Sequence, residues 1–165
     1  MPEDISAEEL IFTIRKVGLH LTTQLELCFK EKEISGIQAY FLVYILRHHP
    51  KGTFLTELYH EIGVSKPTLS VLIKKLKQKG YLSLEENPED IRKKKVVPTA
   101  KLLEEGETFL RQAGEMESRI CSALDAQEKK QLQGLAQKML EQMVKLEQIE
   151  TDRRYFKGEK SVATA

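Results

Sequence analysis

The sequence predicts a mainly α-helical chain built around one helix-turn-helix and a small basic hairpin, with long helices at both ends. Three observations carry that expectation. First, Leu58, Ile62, Val64, Leu69, Leu72, Ile73 and Leu76 recur at three- and four-residue steps, interrupted only around Gly63-Val64-Ser65. Two amphipathic helices therefore meet at a tight turn. Second, Gly80 is followed by a short apolar strand (81–84), a polar tip and a strand rich in Lys and Val (92–97). Third, single apolar stripes run along extended helical segments before and after this region. The expected fold is a winged helix-turn-helix with a small β-wing, flanked by long N- and C-terminal dimerisation helices.

Each element has a local cause. Ser6-Ala-Glu-Glu9 is a capping-box pattern that opens a helix with Leu10, Ile14, Val17, Leu21 and Leu25 on one face. No long partner helix follows at once, so a second subunit is expected to cover that stripe. Ser35-Gly-Ile-Gln38 opens a second helix through Ile37, Phe41, Tyr44, Ile45 and Leu46, ending at His48-His49-Pro50. Thr53-Phe54 reads as a short strand that pairs with the wing. Gly63 suits a left-handed helix end, Ser65 an N-cap, and Pro67 the first helical turn, where its missing N–H costs no bond. Thr99 caps the next helix. Asp125-Ala-Gln-Glu128 starts the last one, whose Leu132, Leu135, Met139, Met143, Leu146 and Ile149 suit helix pairing across a dimer. The layout is 1–34 N-terminal dimerisation helix, 35–99 DNA-binding winged helix-turn-helix, 100–151 C-terminal dimerisation helices, and 152–165 a disordered tail.

Composition narrows the function. The 165 residues are 41% hydrophobic, 31% charged and 7% aromatic, which suits one helical domain with extensions. A net charge of +1 says little, but its distribution says more. Lys66, Lys74, Lys75, Lys77, Lys79, Arg92, Lys93, Lys94, Lys95 and Lys101 crowd the winged segment, and acids outnumber bases from Leu102 to Glu150. Such a basic patch is the electrostatic footprint of phosphate binding. Cys28 and Cys121 form no CxxC pair or disulfide framework, no apolar run approaches a membrane span, and no signal-peptide pattern opens the chain. A soluble cytoplasmic protein is expected.

The residue types at the helix start fit DNA reading. Ser65 and the turn after it offer free N–H groups and hydroxyls to phosphate. Lys66, Thr68, Ser70, Lys74 and Lys75 are placed to face a major groove, where Lys reaches guanine acceptors and Thr a thymine methyl. The bland alternative is a capped helix with a solvated charged face. A two-fold dimer would set two such helices on successive major-groove faces, requiring a pseudo-palindromic duplex.

The Gly63-Val-Ser-Lys-Pro-Thr-Leu-Ser70 turn, Lys75-Leu76, Lys79-Gly80-Tyr81-Leu82 and Asp90-Ile-Arg92 resemble the MarR-type winged-helix transcriptional regulators. With the flanking helices, the resemblance covers nearly the whole chain. Two residues depart from the family pattern: Leu102 stands in the place of a Gly after the wing, and Tyr59 where a small residue is common. The resemblance implies a homodimeric repressor released by a small-molecule or redox signal. It implies a minor-groove role for Arg92, whose guanidinium Asp90 would hold in a bidentate pair beside the basic Lys93 and Lys94. It also implies an effector pocket between the dimer helices and the DNA-binding lobe. Phe12, Phe41, Tyr44 and Tyr59 are candidate liners, with Arg15 and His20 as polar anchors.

Other chemistry finds less support. Lys30 and Lys32 near Cys28 would favour a redox-active thiolate, although inert core cysteine is commoner. His60-Glu61 lacks the second His of a metalloprotease signature, and His48-His49 fit a helix end better than a metal site. No metal, cofactor or enzymatic activity is expected. The rival reading is a winged-helix protein-interaction module without DNA binding. It predicts acidic or apolar residues at Lys66, Lys74, Lys75 and Arg92, and the sequence has bases at all four.

Overall fold

The computed structural model describes residues 4–163; positions 1–3 and 164–165, at the outer ends of the expected N-terminal segment and tail, lie outside the described residues. The chain forms two compact units, one through Ser118 and one from Arg119 on. The first holds α1 (Ala7–Cys28), a 3-10 turn (Lys30–Lys32), α2 (Gly36–His48), β1 (Thr53–Phe54), α3 (Leu55–Ile62), α4 (Lys66–Gln78), β2 (Leu82–Asn87), β3 (Asp90–Pro98) and most of α5 (Ala100–Cys121). The second is dominated by α6 (Ala126–Ala163).

α2 is the core of the first unit. Its capping box is complete: the Ser35 hydroxyl accepts from the Gln38 N–H, and the Gln38 side chain accepts from the Ser35 N–H. Gly36, Gln38, Ala39, Phe41, Leu42, Val43, Ile45 and Leu46 are all buried, so the helix is enclosed on nearly every side. α5 buries Leu102, Gly106, Phe109, Ala113 and Met116, at three- and four-residue steps. A side chain at Gly106 would come within 3.1 Å of Leu46 Cδ2, so the glycine permits the close approach of α5 to α2. Arg47 and Glu117 clasp the same pair of helices with two hydrogen bonds of 2.8 Å. Phe29, just after α1, stacks on Phe109 at 4.7 Å, and Tyr81 meets that ring edge-on.

The helix-turn-helix follows the sequence expectation closely. Gly63 ends α3 at φ 77°, and the Ser65 hydroxyl accepts from the Thr68 N–H at the start of α4. Leu69, Leu72, Ile73 and Leu76 bury one stripe of α4. The three-stranded antiparallel sheet has β3 between β1 and β2, with Thr53 opposite Val96 and Leu84 opposite Val96 on the other edge. Thr53-Phe54 is thus the strand that joins the wing to the body.

Two tyrosines one turn apart on α2 fasten the end of α3. The Tyr40 hydroxyl donates to the Ile62 carbonyl at 3.2 Å, and Tyr44 donates to the Glu61 carboxylate at 2.6 Å. His49 reaches the same carboxylate oxygen at 2.6 Å, and the His48 ring lies against Tyr44. The histidines stand at the end of α2, as expected, and there also bond and stack with side chains. Hydrogen bonds from Tyr44 and then His49 hold the Glu61 carboxyl below the usual carboxylate range, and burial with the Glu61 contact pushes the Tyr44 hydroxyl up to about 12.

The expected disordered tail is corrected: α6 continues without interruption through Ala163. Losing the apolar stripe after Ile149 does not end a helix when no proline intervenes and Glu, Lys and Arg favour the conformation. Local bonds extend it, including Gln148 to Asp152, Thr151 to the Glu147 carbonyl and the Arg154–Glu150 pair. Asp125 caps its start, accepting from the Glu128 N–H at 2.8 Å.

Gly36 sits so close to α1 that a Cβ there would lie 2.1 Å from the Thr22 carbonyl. Gly36→Ala is expected to destabilise the fold by roughly 1–3 kcal/mol. Urea unfolding checks this, and an unchanged midpoint would mean that α1 moves aside freely. A carboxyl whose folded value is depressed stabilises above its unfolded value and loses that contribution as the pH falls through the carboxylate range. Glu61→Gln should therefore cost more stability at about pH 7 than at about pH 4. Equal losses at both would remove any role for the carboxylate's charge.

Candidate nucleic-acid interface

With one stripe of α4 buried, the rest of the helix forms an exposed arc. Lys66, Ser70, Lys74 and Lys77 follow one strip at successive turns; Pro67, Val71, Lys75 and Gln78 follow the next, with Thr68 beside them, and all are exposed. Val71, 52% exposed, lies in the middle of that arc. The sequence offered one signal for it, an apolar residue off the buried stripe, and the expectation did not include it. Ser65 spends its hydroxyl locally, on the Thr68 N–H and on the Thr68 hydroxyl at 2.8 Å. Its part is to shape the helix start, whose remaining N–H groups point outward along the dipole.

Lysine orientation divides the basic run. Lys74, Lys75 and Lys77 project outward. Lys79 is half-buried, its ammonium 2.6 Å from the Glu33 carbonyl and 2.9 Å from Gln38 Oε1. At the other end of α4 the Lys66 ammonium lies 5.0 Å from the centre of the Tyr59 ring. These two residues line a shallow cavity of about 250 Å³ between α3 and α4, with Leu55, Thr56, His60, Leu69 and Ser70. A second groove, of about 330 Å³, runs between the start of α2 and α4 and is lined in part by Thr68, Val71 and Lys75.

The wing presents Arg92, Lys93 and Lys94, all exposed. Asp90 does not hold the Arg92 guanidinium as expected. Its carboxylate accepts from the Arg92 backbone N–H at 3.0 Å, and Asn87 likewise accepts from the Glu89 N–H. Short Asx side chains reach backbone two residues on more readily than they reach a long side chain, so both residues shape the tip. Opposite the basic strand, Glu86 pairs in register with Lys94 and Glu85 with Lys95.

The six candidate effector residues are not brought together within one chain. Phe12, Arg15 and His20 lie on the exposed part of α1, and Phe41 is completely buried in the core. Tyr44 is engaged with Glu61, and among the six only Tyr59 lines the cavity between α3 and α4. Aromatic residues at helical spacing cannot be sorted into core and pocket by sequence, and here Phe41 went to the core. Cys28 is half-buried against the core, whereas Cys121 is exposed at the end of α5.

Comparison with known proteins adds to this geometry. The model of the MarR family matches residues 33–93. The structure is similar to that of S. aureus MepR in a MepR–DNA complex, with TM-score 0.72 and 21% identity over 84% of this chain and 98% of that one. It is also similar to a MarR-like transcription regulator from Bacillus cereus ATCC 10987, with TM-score 0.67 and 25% identity over 81% and 95% of the two chains. A MarR transcriptional regulator from Methanosarcina mazei Go1 gives TM-score 0.72 and 19% identity over 87% and 95%. Among curated proteins no sequence matches. Residues 33–93 are similar to the MarR family, and the fold around them is that of a winged helix.

Proposed function

We propose that this chain is a DNA-binding transcriptional regulator that acts in the cytoplasm as a homodimer on a pseudo-palindromic duplex. The observation that carries the reading is the exposed arc of α4, with Lys66, Ser70, Lys74 and Lys77 in one strip, in the same compact unit as a wing that presents Arg92, Lys93 and Lys94. In this reading the N-terminal turn of α4, with Ser65 and Thr68, meets phosphate; Lys66 and Ser70 reach base edges, and Val71 meets a thymine methyl. Lys74, Lys75 and the wing lysines neutralise backbone charge. Arg92 enters the minor groove, held at the right place by the Asp90 turn. MepR, a structural relative, is known in complex with DNA.

Dimerisation is supported by apolar surface that a single chain leaves bare. Leu10, Ile14 and Val17 of α1 and Leu132, Leu135, Met143, Leu146 and Ile149 of α6 are exposed. Contiguous apolar helix faces of this length mark contact surfaces. Bound across a promoter, such a dimer would act as a repressor. Release by a small molecule or by oxidation would need the effector residues of α1 to be completed by a second chain.

A salt-titrated selection from a random duplex library, with the mass in solution recorded, tests the reading. The expected outcome is a dimer that selects an inverted repeat. Lys74→Met and Lys75→Met each remove a phosphate contact in both protomers, so each should reduce the slope of log affinity against log salt by about 2. Arg92→Ala should weaken operators with A·T-rich flanks more than those with G·C-rich flanks. A folded protein that selects no duplex at low salt would overturn the proposal in favour of a protein-interaction module.

A further inference from the structure

We propose that Lys79 is a positioning residue that ties the DNA-facing helix to the joint beneath the N-terminal arm, so that half-site spacing is set through it. This inference rests on the DNA-binding dimer proposed above.

Lys79 stands in a run of four lysines, and by sequence nothing separates it from its neighbours. Its side chain turns inward, where its ammonium donates to the Glu33 carbonyl at 2.6 Å and to Gln38 Oε1 at 2.9 Å. Both acceptors belong to the joint that leads from α1 into α2. Gln38 is buried, and its Oε1 also accepts from the Ser35 N–H in the capping box of α2. Glu33 is the one non-glycine residue at positive φ among the described residues, at 55°, an uncommon backbone state for a side-chain-bearing residue. The carbonyl of that residue is the one that receives the ammonium. A charged donor on two neutral oxygens is a strong bond, and none of its geometry serves a phosphate.

The joint is fixed from the other side as well. Lys101 donates to the Lys79 backbone carbonyl at 2.9 Å, and its ammonium lies 4.4 Å from the centre of the Tyr81 ring. Tyr81 donates to Glu105, which also pairs with Lys32 of the 3-10 turn. The C-terminal end of α4, the start of α5 and the α1–α2 joint are thus one bonded cluster. In a dimer built on the N-terminal helices, the separation of the two α4 helices is inherited through this joint. Loosening Lys79 would let α4 pivot without removing any charge from the DNA-facing arc.

The test uses the full-length chain and the duplex selected in the library experiment, with its half-site spacing changed by one or two base pairs in either direction. Wild type should prefer one spacing. Lys79→Met is expected to bring the ratio of best to altered spacing down by about tenfold, with the salt slope unchanged. Lys74→Met should do the reverse, lowering the slope and keeping the ratio. If Lys79→Met does not fold, Lys101→Met loosens the same joint from α5 and should blunt the same ratio. A fall in slope for Lys79→Met like that of Lys74→Met would make Lys79 a phosphate contact and overturn the proposal. Equal weakening on every spacing would make it a stability residue only and overturn it too. Wild type that selects no duplex would overturn the DNA-binding reading itself, a failure distinct from the other two.

Discussion

The enclosure of α2 is the constraint on which the first unit depends. Its buried residues leave little surface for water, so α5, the end of α1, the helix-turn-helix and the sheet are arranged around it. What makes the core useful is that polar groups along α2 reach both the turn and the far end of α4. Tyr40 and Tyr44 bind the end of α3, just before the turn, and Gln38 binds Lys79 just after α4. The turn and the far end of α4 are therefore tied to one helix by hydrogen bonds that are directional, whereas apolar burial alone would leave the helix-turn-helix free to slide.

This anchoring explains how α4 can expose so much of itself. Its buried stripe supplies cohesion, and its orientation comes from groups outside the exposed arc, namely the cap at Ser65, the tyrosine straps and Lys79. Lys74, Lys75 and Lys77 are then left pointing to solvent. Among the described residues, Lys32, Arg47, His49 and Arg154 pair with carboxylates, and no ion pair engages Lys66, Lys74 or Lys75. The wing follows the same division. Asn87 and Asp90 fold its tip through backbone bonds, and the long basic side chains project from it.

Much of this was legible in the sequence because it depends on local chemistry. Gly63, Ser65, Pro67, Ser35 with Gln38, Thr99 and Asp125 mark turns and caps whose geometry is set within a few residues, and each stands where its type implied. The strand at Thr53-Phe54 was also readable from its place before the helix-turn-helix. Legibility failed where a side chain had a choice of distant partners. Lys79 resembles Lys77 in sequence and differs only in meeting the Glu33 carbonyl, 46 residues away. Asp90 had Arg92 as an obvious ionic partner and took its backbone instead. Phe41 and Tyr44 lie on one helix, yet one fills the core and the other binds Glu61. The last helix misled for another reason: its apolar periodicity ends before its backbone hydrogen bonding does, so a pattern of burial understated its length.

The long helices pose the remaining physical question. α1 has 22 residues and buries only Leu25 within its own chain. Local bonds, such as the Ser6 cap and the Thr13 and Thr22 hydroxyls on carbonyls one turn back, satisfy polar groups and bury nothing. In proteins most of a helix's stability comes from packing an apolar face. Leu10, Ile14, Val17 and Leu21 provide such a face, in register on one side and open to solvent. A surface of that kind gains free energy in proportion to the apolar area it hides. In the proposed dimer its complement would be the same face of a second chain, because a two-fold axis makes one stripe sufficient for both partners. Dimerisation would then stabilise the arm and fix the distance between the two α4 helices in a single step.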